Sequence, residues 1–234
     1  MSVAQIEKEL NELEDAETAA FLQKFFKTGR GEYGAGDLFR GVRVPVLRKL
    51  AAKYRQISLA ESEKLLQSQF HEDRLLALFF IVRLFAKSDE AGRKDIYRLY
   101  LDNTPFINNW DLVDSSAEHI VGAYLNDKNR EPLYRLAESS NLWNRRIAIM
   151  ATFHFIKRGD FNETLTIAEK LLTDKEDLIH KATGWMLREV GKRNLDAEKI
   201  FLNQYYKKMP RTMLRYAIEK FPETERQKYI KGEI

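Results

Sequence analysis

The chain has 234 residues, 44% hydrophobic and 32% charged, with a net charge of +4. That length and apolar content suit a packed core and exclude an intrinsically disordered chain. It has no cysteine, which excludes disulfides, zinc–thiolate sites and thiol catalysis and fits a reducing compartment, and no apolar run reaches the roughly 18 residues that a membrane helix needs.

The first segment, MSVAQIEKELNELEDAE, is acidic and lacks the apolar stretch of a signal peptide. The next punctuation is TGRGEYGAGDLFRG (28–41), which holds five of the eleven glycines: Gly29, Gly31, Gly34, Gly36 and Gly41. This is a loop. It is not a phosphate-binding loop, because no GKS or GKT follows and no strand precedes it. Pro45, Pro132, Pro210 and Pro222 each open an apolar-periodic run, as a first-turn proline does. Nearly all of the remaining sequence reads as helix.

The longer segments align on an alanine: DRLLALFF (Ala77), DSSAEHIV (Ala117), RRIAIMAT (Ala148), IHKATGWM (Ala182) and LRYAIEKF (Ala217). The spacings are 40, 31, 34 and 35 residues. An irregular period of this length suits stacked helix pairs, each burying its face against its neighbours. The expected architecture is an all-α solenoid, one domain over 1–234, with the second helix of each pair lining a concave face. The same register places Arg74, Asp114, Arg145 or Arg146, and Lys181 near one edge of that face. Charge is uneven as well. Residues 1–141 carry 20 Lys and Arg against 22 Asp and Glu, whereas 142–234 carry 19 against 13. A basic C-terminal part suggests a polyanionic partner.

One stretch breaks the pattern. From NNWDLVDSSAEHIVG (108–122) to the tyrosine just after it, Trp110, Val113, Ala117, Ile120, Val121 and Tyr124 form an apolar stripe at helical spacing, yet Asp114 lies in it, one turn after Trp110. A carboxylate in an apolar stripe is costly unless something compensates it. Asp111 suffices to cap the helix, so capping leaves Asp114 unexplained. The histidines, His71, His119, His154 and His180, form no H-E-x-x-H or H-x-x-x-H pair, so a bound transition metal is not expected. Ser115 and His119 lack the strand-to-helix setting of a hydrolase nucleophile, and His119 reads as an ordinary helix residue. Of the three tryptophans, Trp143 reads as core. Trp110 shares a face with Asp114, and Trp185 has Lys181 and Arg188 on nearby turns, a combination suited to nucleic acid.

WDLVDS (110–115), LWNRRIAIM (142–150) and KATGWMLRE (181–189), in that order, resemble the AlkD family of bacterial alkylpurine DNA glycosylases. GEYGAGDLFRGVRVPVLRKL (31–50) resembles that family's N-terminal segment, and the likeness runs from about residue 20 to about residue 220. The resemblance implies HEAT-like helical repeats around a DNA-binding groove. It also implies a base-excision repair hydrolase that cleaves the N-glycosidic bond of N3- or N7-alkylated purines, such as 3-methyladenine and 7-methylguanine, in duplex DNA without flipping the base. The family's functional positions fall on Trp110, Asp114, Arg146 and Trp185. Arg43, Arg48 and Arg188 match positions near backbone contacts, and Arg145, next to Arg146, leaves the choice of phosphate ligand open. No cofactor is implied. The expected state is a monomer in the bacterial cytoplasm, acting at the nucleoid. The competing reading is a helical-repeat scaffold that binds DNA or protein without catalysis. A third is the same fold acting on a bulkier lesion.

Overall fold

The computed structural model describes residues 2–234. Every regular element among them is a helix; the sole β pairing among them is an isolated parallel bridge between Leu38 and Phe70. The chain divides into two compact units, one ending at Ser116 and one running from Ala117 to Ile234. No helix among the described residues is long and apolar enough to cross a membrane.

The first unit contains α1 (Val3–Glu12), α2 (Ala16–Phe25), α3 (Val44–Lys53), α4 (Leu59–Leu66), α5 (His71–Lys87), α6 (Glu90–Asp102) and the short α7 (Trp110–Asp114). Local chemistry sets the starts. Asp15, Ser58 and Asp89 cap α2, α4 and α6 by accepting from backbone N–H groups at 2.6, 3.2 and 2.9 Å. Pro45 lies in the first turn of α3, where its missing N–H costs nothing. The centre is α5, packed by α3, α4, α6 and α7, with Leu75, Leu76, Ala77, Leu78, Phe80 and Ile81 buried along it. By contrast, none of α2's ten residues is buried, and Phe21 and Phe25 are 65% and 53% exposed.

The start of α5 is unusual. His71, Glu72, Asp73 and Arg74 are consecutive, polar and all buried. Buried charge must be paired and hydrogen-bonded. The glycine-rich segment supplies the partners. The Glu72 carboxylate accepts from the backbone N–H groups of Arg40, Gly41 and Val42 at 2.9, 2.8 and 3.2 Å. Asp73 takes a two-pronged bond from the Arg40 guanidinium at 2.7 and 3.0 Å. Gly41 has φ +86°, and a Cβ there would lie 2.1 Å from the Asp15 carbonyl oxygen, so this turn requires glycine.

The second unit opens with a wide π-type turn (Glu118–Gly122). It continues through α8 (Glu131–Ala137), α9 (Leu142–Ala151), α10 (Phe153–Ile156), α11 (Asn162–Lys170), α12 (Asp177–Gly191), α13 (Leu195–Tyr205), α14 (Arg211–Ala217) and α15 (Glu223–Lys231). Here α12 is central, packed by α9, α11, α13 and α14. Pro132 falls in the first turn of α8, as the sequence predicts, whereas Pro210 and Pro222 stand one residue earlier than predicted, as the N-caps of α14 and α15. The five aligned alanines are all buried, at 0–1% exposure. Glycines make close helix approaches as well. A Cβ on Gly184 would lie 2.3 Å from the Met213 carbonyl oxygen, and one on Gly122 would lie 2.2 Å from that of Ala151.

Candidate functional site

The predicted helix over 110–124 is not continuous. Asn109, rather than Asp111, is the N-cap: its side chain accepts from the Trp110 N–H at 2.8 Å. Asp114 is the last residue of α7. There the Ser116 N–H reaches back only to the Val113 carbonyl (3.1 Å), which tightens the chain before the wider turn that follows. The Ser116 hydroxyl donates to the Leu112 carbonyl (2.6 Å) and meets the Tyr100 hydroxyl (2.9 Å), closing this end of the helix. Burial raises the Tyr100 pKa, with a contribution from the negative charge of Asp114.

Trp110 and Asp114 lie one turn apart and are both half-buried, whereas Leu112 and Val113 between them are fully buried. The acid therefore faces the partly open side of the helix, which removes most of the burial cost raised by the sequence. A carboxylate at the carbonyl end of a helix gains nothing from the helix dipole, so capping does not account for it.

Trp110 belongs to an aromatic array that runs from the core to the surface. Its ring stacks on Phe26 (centroids 5.3 Å apart) and meets Phe25 edge-on (6.2 Å). Phe25 in turn stacks on the exposed Phe21 (6.4 Å). On the inner side Phe26 packs on Phe39 (5.1 Å) and on the His71 ring (4.9 Å). Arg43 is exposed and shares an open pocket of about 600 Å³ with Asp15, Glu17, Thr18, Phe21 and Leu22. Arg48 is also exposed, with its guanidinium 4.7 Å from the centre of the Phe79 ring, a cation–π contact.

Beneath α7 lies a cluster that sequence reading missed. His71 is 2% exposed; its Nε2 is 2.8 Å from Asp111 Oδ2 and its Nδ1 is 3.3 Å from Asp37 Oδ2. Arg74 donates to Asp37 (2.8 Å), to Asn108 (3.2 Å) and to the Ser68 carbonyl (3.0 Å). Burial alone would lower the His71 pKa. The Asp111 and Asp37 carboxylates overcome it and raise the value to about 9, so the ring is a cation at neutral pH. For Asp37, burial works upward, but the His71 hydrogen bond and the Arg74 charge hold it below the usual carboxylate range.

The other predicted residues belong to the second unit, and each has an internal partner. Arg145 makes a two-pronged bond to Asp174 (2.6 and 3.3 Å) and donates to the carbonyls of Ser139 and Ser140 (3.0 Å each), which ties the start of α9 to two loops. Arg146 is 5% exposed and donates to the Leu178 carbonyl at 2.5 Å. Lys181 pairs with Asp177 one turn earlier (2.8 Å), and Arg188 pairs with Glu219. Trp185 is half-buried; its indole N–H donates to Glu189 (3.3 Å) and its ring lies 6.3 Å from Phe153. Burial would raise the Glu189 pKa, but Lys192 and Arg193 hold it down. Trp143 is buried, as a core tryptophan should be. His119 is exposed, and the Ser115 hydroxyl donates to the Leu112 carbonyl.

The sequence profile of the DNA alkylation repair enzymes matches residues 6–221. The chain matches no curated protein. Among solved structures, a predicted DNA alkylation repair enzyme from Enterococcus faecalis is 17% identical, with a TM-score of 0.67, covering 90% of this chain and 97% of its own. AlkD2 from Streptococcus mutans is 20% identical, with a TM-score of 0.55, covering 88% and 97%. At these identities the likeness is one of fold, and it agrees with the all-α helical-repeat architecture expected from the alanine register.

Proposed function

Because the chain belongs to the family of DNA alkylation repair enzymes, we propose that it is a monofunctional DNA glycosylase acting on cationic N3- and N7-alkylated purines in duplex DNA. The observation that carries this reading is the pairing of Trp110 and Asp114 on the partly open side of α7, with buried Leu112 and Val113 between them. Alkylation at N3 or N7 makes the purine a cation that departs as a neutral base, so no general acid is needed. The sugar left behind develops oxocarbenium character and needs a negative neighbour and a water. Asp114 supplies the charge and orients the water. A unit charge pair at about 4 Å with an effective dielectric near 20 is worth roughly 4 kcal/mol, or about three decades in rate.

Trp110 supplies an aromatic face for the deoxyribose, an attraction that grows as positive charge develops, and Trp185 supplies one for the DNA backbone. Arg146 holds a backbone phosphate, which fixes position rather than sequence. Lys181 and Arg188 exchange their exposed acid partners for phosphates at little cost, because surface ion pairs contribute little. Arg43 and Arg48 extend the contact along the backbone. The lesion stays in the stack, and no cofactor takes part.

The deciding experiment measures release of free base from a duplex containing 7-methylguanine. The wild-type chain is expected to release it, and Asp114→Asn to lose about three decades in rate while binding the duplex within twofold. Full activity in Asp114→Asn would remove Asp114 from the chemistry. A wild-type chain that binds the duplex but releases no base would be the non-catalytic scaffold.

A further inference from the structure

The segment that carries Trp110 and Asp114 is a helix of five residues, too short to hold its own shape. Its position must come from what it packs on. Leu112 and Val113 supply apolar contact, which is non-directional and leaves rotation about the helix axis weakly defined. Asp111, directly between the two site residues, supplies direction. Its Oδ1 accepts from the Leu112 N–H (2.9 Å) and its Oδ2 meets His71 Nε2 (2.8 Å).

We propose that His71 is a positioning residue for the reaction: held between Asp37 and Asp111, it sets the orientation of α7 and therefore of Trp110 and Asp114. A second contact path runs the same way. The His71 ring stacks on Phe39 (4.6 Å) and packs on Phe26, and Phe26 stacks on Trp110. One side chain thus governs α7 through an ionic bond on one edge and Trp110 through an aromatic stack. The charged groups facing His71 are Asp37 from the glycine-rich segment, Asp111 from α7, and Arg74 one turn further along α5. Glu72 and Asp73 are engaged instead with the backbone of 40–42 and with Arg40. Loss of the His71 proton leaves the buried Asp37 and the half-buried Asp111 carboxylates against a single Arg74, and the geometry of α7 relaxes. The inference rests on the reading of Trp110 and Asp114 given above.

The test uses the full chain labelled with 5-fluorotryptophan. Its three tryptophans give three fluorine lines, and Trp110→Phe identifies the line of Trp110. In the wild type that line is expected to move with pH, with a midpoint near 9. In His71→Gln the pH response should vanish and the line should already be displaced at pH 7, with those of Trp143 and Trp185 unmoved. On the 7-methylguanine duplex, His71→Gln should lower kcat at least tenfold with KM within twofold. A Trp110 line and a kcat both unchanged in His71→Gln would overturn the proposal. Should that variant fail to fold, Asp111→Asn keeps an acceptor but loses the charge, and it should lower the midpoint by at least one pH unit. An unmoved midpoint would be equally fatal. A wild-type chain that releases no base sinks the glycosylase reading alone, since the fluorine spectrum still decides whether His71 sets α7.

Discussion

With His71 protonated, the cluster of buried Asp37, Arg74 and His71 with half-buried Asp111 is electrically balanced, and that balance has a thermodynamic signature. The folded pKa of about 9 lies above the ordinary histidine value of 6.5. The stabilisation is therefore complete below pH 6.5 and lost as pH rises through 9. It amounts to about 3 kcal/mol at about 1.4 kcal/mol per pKa unit. Glu198 acts in the same direction from the second unit, since burial pushes its carboxyl up to about 8 against Arg188 and Lys199. Urea unfolding between pH 5 and 10 should show both losses. His71→Gln should flatten the alkaline part and Glu198→Gln the part between about 4.5 and 8. A wild-type stability flat from pH 6.5 to 9.5 would contradict the paired, protonated His71. His154 works on the acid side: burial, with Arg158 adding to it, lowers its pKa to about 4, so its contribution is lost as pH falls from 6.5 through 4. Sequence made Asp114 conspicuous, because a carboxylate in an apolar stripe conflicts with its neighbours. It could not reveal His71, whose partners stand 34 and 40 residues away and share no helical spacing with it.

Among the elements, most helices and their starts were legible because caps, prolines and apolar periodicity act within a few residues. The alanine register also located the buried line of five helical segments. The break after Asp114 was not legible. The tight turn at Ser115 and Ser116 and the wide turn after it leave the apolar stripe intact, so periodicity passes through both. Nor did the register show that Gly184 and Gly122 also sit at close helix contacts. Gly184→Ala tests this. Alanine in a helix interior is ordinarily better than glycine by up to about 1 kcal/mol. Here its Cβ would press on the Met213 carbonyl and the Tyr216 Cβ, so α12 and α14 would have to separate. The expected result is a net loss of about 1–3 kcal/mol and a lower Tm. An unchanged or higher Tm would show that the α12–α14 contact yields easily.

For the whole molecule, charge is the property to measure. From Ala117 onward the chain carries 22 Lys and Arg against 17 Asp and Glu, whereas the preceding residues are close to neutral. If these cations meet phosphates, DNA affinity should fall steeply with salt, with a log–log slope of about −0.9 per phosphate neutralised. Arg146→Ala should make that slope shallower by about one and weaken binding to every sequence alike. Affinity indifferent to salt between 50 and 200 mM would remove the electrostatic part of the reading. The buried cluster in the first unit also bears on how the chain is made. Asp37, His71 and Arg74 all precede Asp111 in the sequence, so a growing chain already contains the complete anchor when α7 leaves the ribosome. Domains generally fold as units, the N-terminal one first. The order of synthesis thus lets α7 dock before most of the second unit exists, without waiting for a later segment to hold it.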